Sequence, residues 1–248
     1  MAGRETADIV FCIDISGSMR PAISGVKKNI TQLIDSLQNS LQQKWDVRVD
    51  FLAHSCSCGL HSWKTVKCAD SVETVNEIYK NNSLQGGKLF TRDLNEFKDA
   101  LSRLEPEGDE ASIIALDAAA DFPFRDSATC HRVIVFLTDE PVDAGEFAVE
   151  SNNKILDLAA KLQNKKIALY MTTPDCSTYD QLSQTDKCEW TVDESRGLSG
   201  VDFTKLMQSI GKSVSMSQTQ SIIAEHNNPK PLFGQTTWIP RHGELKGE

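Results

Sequence analysis

Three short segments, residues 8–14, 132–138 and 166–172, are apolar at consecutive rather than alternate positions. A strand reading Ile9-Val10-Phe11-Cys12-Ile13 or Val133-Ile134-Val135-Phe136-Leu137 must bury both of its faces. Such strands belong to parallel sheets covered by helices on each side. Helical patterns do fall between them. Ile23, Val26, Ile30, Leu33, Leu37 and Leu41 form one stripe over 20–41. Leu94, Phe97, Leu101 and Leu104 form a second over 93–104, and Phe203, Leu206, Ile210 and Val214 a third over 202–214; all have helical spacing. Further helices are expected near 72–80, 111–121, 146–164 and 178–185, and further strands at 46–54, 63–68 and 189–192. Strand–helix alternation with right-handed crossovers gives an α/β fold, a doubly wound, mostly parallel central sheet with helices on both faces. Segments 46–54 and 63–68 have no helix between them, so they are expected to form an antiparallel hairpin at one edge.

The chain has 248 residues, enough for one such domain over 1–220. From about Ser221 the sequence carries Pro229, Pro231 and Pro240 with little periodicity, so 221–248 reads as an extended C-terminal tail. A net charge of -9 and a pI near 5.1 argue against a phosphate-backbone binder, so no nucleic acid is expected. No apolar stretch is long enough to span a bilayer, and the N-terminus lacks the apolar core of a signal peptide, so no membrane partner is expected. Seven cysteines cannot all pair internally, and Cys12 and Cys130 sit in or beside strands, where a small buried thiol packs well. The expected location is therefore reducing and cytoplasmic.

Two of the buried strands end in acids. Asp14-Ile15-Ser16-Gly17-Ser18 follows the first apolar run and offers one carboxylate and two hydroxyls at alternate positions, which a turn can fold around one centre. The donor set is all oxygen, which suits a divalent cation: Mg²⁺ first, with Mn²⁺ or Ca²⁺ as alternatives. Residues Thr138-Asp139-Glu140 close the run 133–137 in the same way. Ligands of open α/β sheets bind beyond the carboxyl ends of the strands, where strand order reverses. If these two strands are neighbours, Asp14 and Asp139 converge on one crevice. Ser16 and Ser18 also suit the turn into the following helix, a role compatible with ion binding.

On these residues, with the amphipathic helix that follows Ser18 and the run Leu137-Thr138-Asp139, the chain resembles the von Willebrand factor A family over roughly residues 8–215. The resemblance implies a metal-ion-dependent adhesion site. In it a first-motif Asp and two Ser, a Thr from a middle loop and a later Asp hold a cation directly or through water; Asp14, Ser16, Ser18 and Asp139 match four of these positions. It further implies a protein-binding module with no reaction of its own, in which an acidic side chain of a partner protein completes the ion's shell. The stand-alone intracellular type works within multi-protein complexes. The middle loop departs from the pattern: Glu107-Gly108-Asp109-Glu110-Ala111-Ser112 contains no threonine. Asp109 or Glu110 would then supply an acid in its place. Counting back from Ala115-Leu116 favours Glu110, and the choice stays open.

Other chemistry is less well supported. His54, Cys56, Cys58, His61 and Cys68 could make a tetrahedral zinc site, but Cys-x-Cys is not knuckle spacing, and core thiols with a solvated His in a hairpin loop account for them. No Walker loop and no Gly-x-Gly-x-x-Gly follows the first strand, and Ser16 stands where a dehalogenase-type phosphatase needs its second aspartate. A metal-dependent phosphoester hydrolase using the same strand-end acids remains the alternative. A scaffold with a vestigial site that binds through its tail is another. Asp117 and Asp121, one helical turn apart, are expected on a solvated face.

Overall fold

The structure is a computed structural model that describes residues 5–41, 45–55, 59–62, 89–108, 112–141, 148–185, 187–193 and 198. Strand β1 (Glu5–Asp14) is followed by a short 3-10 turn at Gly17–Met19 and by helix α1 (Ile23–Leu41). Strands β2 (Trp45–Ser55) and β3 (Gly59–Ser62) precede helices α2 (Leu94–Ser102) and α3 (Ser112–Ala119). Then come β4 (Cys130–Leu137), α4 (Ala148–Asn164), β5 (Ile167–Thr173), α5 (Ser177–Ser183) and β6 (Cys188–Val192). The sheet order is β3-β2-β1-β4-β5-β6. Five neighbours, β2 through β6 in that order, are parallel. The expected mostly parallel, doubly wound sheet is therefore present. Gly59–Ser62 pairs antiparallel with Leu52–Ser55 at one edge, whereas the expected strand at 63–68 lies outside the described residues. So do the helices expected at 72–80 and 202–214 and the tail 221–248.

Strand alternation distributes β1 between two cores. Ile9, Phe11 and Ile13 face α1 and α2, packing with Val26, Ile30, Leu33, Phe97 and Leu101. Val10 and Cys12 face α3, α4 and α5, packing with Ile113, Leu116, Leu158 and Leu182. Phe97 sits between Phe11 and Phe51, with ring centroids 5.8 and 5.7 Å away. Each such side chain, fully removed from water, contributes roughly 1.5–3 kcal/mol. This two-sided burial is what the consecutive apolar runs require.

Two local expectations need correction. Helix 20–41 begins only at Ile23, because Arg20 to Ala22 form turns after the 3-10 segment. Pro21, which has no N–H to donate, stands just before the helix, where that loss costs nothing. Asp117 and Asp121 do not form a merely solvated face. Lys161 pairs with both, at 2.7 and 2.6 Å, and ties α3 and the residues after it to α4.

Candidate metal centre

Asp14 is the last residue of β1 and is fully buried. Its Oδ1 accepts the Ser16 backbone N–H at 2.7 Å, and its Oδ2 accepts the Thr138 hydroxyl at 2.7 Å. The Thr138 oxygen in turn accepts from the Ser112 hydroxyl at 3.1 Å, at the start of α3, and from the Glu140 N–H at 3.3 Å. One hydroxyl can donate once and accept twice, so Thr138 is saturated while it holds the carboxylate. Burial pushes the Asp14 carboxyl up to about 7; the charge of Asp139 adds to this, and the hydrogen bonds from Thr138 and Ser16 oppose it.

Sheet order brings the second acid to the same place. Strands β1 and β4 are neighbours with Ile13 opposite Leu137, so the residues after them meet at the carboxyl ends. Ser18 Oγ donates to Asp139 Oδ1 at 2.8 Å and lies 2.9 Å from Ser16 Oγ. Thus Asp14, Ser16, Ser18 and Asp139 converge as the motif spacing anticipates. Ile15 and Met19, both buried, anchor the intervening turn in the core.

The middle loop is docked on that turn. Gly17 N–H donates to Gly108 O at 2.8 Å, Glu107 N–H to Ile15 O at 2.8 Å, and Arg20 Nη2 to Pro106 O at 3.0 Å. Gly108 has φ 75°, a left-handed conformation that glycine adopts without steric cost. Asp109 and Glu110 follow it directly but lie outside the described residues. Among the described residues, no group of three or more His, Cys, Asp or Glu is placed to hold an ion. The donors on hand are two carboxylates and two hydroxyls.

Thr138 and Ser112 were legible only as parts of a motif and a helix start; their role in holding Asp14 depends on the approach of α3 to β4, which no local pattern encodes. His54 lies within the strand expected at 46–54. It stands one residue before the end of β2 with 0% exposure, and burial lowers its pKa to about 3. Cys56, Cys58 and Cys68, with the side chain of His61, lie outside the described residues.

A mostly parallel sheet with this order, carrying strand-end acids beside a serine-bearing turn, defines a Rossmann-like domain. The von Willebrand factor type A domain matches residues 8–187, and the chain belongs to that family. Domains of this family commonly mediate protein–protein interaction and are generally not enzymes. A structure of a von Willebrand factor type A protein from Catenulispora acidiphila aligns over 83% of this chain and 42% of its own, at 13% identity and a TM-score of 0.52. The pilus adhesin SpaC from Lactobacillus rhamnosus GG aligns over 87% of this chain and 31% of its own, at 14% identity and a TM-score of 0.50. The chain spans less than half the length of either structure, and the likeness concerns the fold. No curated protein matches the sequence. Among the described residues no helix is long and apolar enough to cross a membrane.

Proposed function

We propose that this domain is a metal-dependent protein-binding module. Asp14, Ser16, Ser18 and Asp139 hold a divalent cation at the carboxyl ends of β1 and β4, with Mg²⁺ the first choice and Mn²⁺ or Ca²⁺ as alternatives. An acidic side chain of a partner protein completes its shell, as part of a multi-protein complex in the cytoplasm. The observation that carries this reading is the convergence of Asp139 and two hydroxyls near a second carboxylate, Asp14, that is buried with no cationic partner among the described residues. A fully buried acid whose pKa is raised by burial is poorly stabilised as an anion, and a cation would relieve that cost. The all-oxygen donor set fits a hard ion. The bound ion would supply a fixed positive charge that gives a partner's carboxylate a directional, charge-assisted contact.

Two carboxylates leave room for a third. The bonds from Gly17, Ile15 and Arg20 to residues 106–108 hold the start of the middle loop against the ion site, which supports Glu110 or Asp109 as that acid. Calorimetric titration of Mg²⁺ into the purified chain tests the site. A single saturable event, lost in Asp14→Ala and weakened at least tenfold in Glu110→Ala or Asp109→Ala, is expected. Unchanged affinity in both loop variants overturns the loop assignment, and unchanged affinity in Asp14→Ala overturns the site.

A further inference from the structure

His54 is the register partner of Asp14 across the β1–β2 pair. Leu52, two residues earlier on β2, packs in the core under α3 and α4, while Val49, Phe51 and Ala53 pack on the opposite face. By that alternation His54 and Asp14 share the α3 side of the sheet. The backbone of His54 serves the site, since its carbonyl accepts the Ile15 N–H at 3.0 Å. Among the described residues the imidazole has no hydrogen-bond partner: both ring nitrogens are buried and unsatisfied. Buried side-chain polar atoms are nearly always satisfied, and an orphan costs stability. The fold does not call for the expense, because Leu52 fills the preceding position on the same face with a hydrocarbon. Asp139 follows β4 on one side of Asp14, and His54 lies next to the last residue of β2 on the other. The two therefore flank the buried carboxylate.

We propose that His54 is a positioning residue of the ion site, its imidazole hydrogen-bonding the hydration shell of the cation on the β2 side of Asp14. The inference rests on the ion-binding reading above and adds to it a residue outside the Asp-x-Ser-x-Ser turn, the middle loop and the second strand-end acid. The imidazole would order water between Asp14 and a bound ion, which would satisfy its ring nitrogens. Outer partners of this kind change metal affinity about 10–100-fold when removed. A purely structural histidine would change stability and leave ion affinity alone.

The test is a Mg²⁺ titration of the full chain, followed by calorimetry, with a melting curve of each variant in chelator. His54→Leu removes both ring nitrogens and should melt at a higher temperature than the parent without ion, yet bind Mg²⁺ at least tenfold more weakly. His54→Gln keeps a hydrogen-bonding group and should recover part of that affinity. Parent-like Mg²⁺ affinity in a folded His54→Leu overturns the proposal and leaves the ion site standing. Failure of the parent to bind Mg²⁺, with Asp14→Ala indistinguishable from it, overturns the ion-binding reading and this proposal together.

Discussion

At the scale of single residues, Asp14 and His54 pull the pH dependence of stability in opposite directions. The Asp14 carboxyl is raised from 3.8 to about 7 by burial, so the folded state holds its proton more tightly than the unfolded chain. Its contribution is fully present below pH 3.8 and is lost as pH rises through about 7. His54 is lowered from 6.5 to about 3 by burial, so the folded state resists protonation. Its contribution is present above pH 6.5 and is lost as pH falls towards 3. In chelator the two slopes oppose one another between pH 4 and 6.5. Urea midpoints measured across that window should therefore change little in the parent on account of these two groups. Asp14→Asn should leave stability rising with pH, and His54→Leu should leave it falling. Identical profiles in all three proteins would show that neither group titrates as its burial requires.

At the scale of elements, the ends of the sheet are built differently. The carboxyl end carries the paired acids and hydroxyls; the amino end carries a buried ion network. Burial pushes the Asp8 carboxyl up, but hydrogen bonds from Arg48 and Arg125 outweigh it and hold the group below the ordinary carboxylate range. Arg125 Nη1 also reaches Asp46 Oδ2 at 2.6 Å, and its Nη2 reaches the carbonyls of Ala7 and Asp46. Arg125 thus joins the segment before β4 to both β1 and β2. Arg125→Ala should cost on the order of 3 kcal/mol in chemical denaturation, because it leaves a buried acid short of a partner. Mg²⁺ affinity should stay unchanged, since the network lies at the other end of the strands. A loss under 1 kcal/mol would mean that Arg48 alone satisfies Asp8.

How much of this was legible in the sequence follows from range. Strands β1, β4 and β5 showed as consecutive apolar runs, because two-sided burial leaves a local trace. The site residues showed as a turn motif and a strand-end acid, because ligand geometry needs short, fixed spacings there. Asp8, Arg48 and Arg125 left no such trace: their partners lie 40 and 117 residues apart, and a lone acid in a strand reads the same whether paired or not. The burial of His54 was hidden for a similar reason. Its cover comes from α3 and its neighbour from β1, and a histidine near the end of a strand reads the same from sequence whether buried or solvated.

At the scale of the whole molecule, the sheet order decides the function argued here. With β1 between β2 and β4, the residues after β1 and β4 meet at one end of the sheet, where Pro106, Glu107 and Gly108 are tied to Arg20, Ile15 and Gly17. In the proposed function, an ion at that end would give a partner protein one directional contact. The most direct measurement is capture of protein from native extract by the immobilised chain, in Mg²⁺ and in chelator, with Asp14→Ala alongside. A specific partner retained in Mg²⁺, released by chelator and absent from the Asp14→Ala column is the predicted result. A partner held equally by all three columns would contradict metal-dependent recognition.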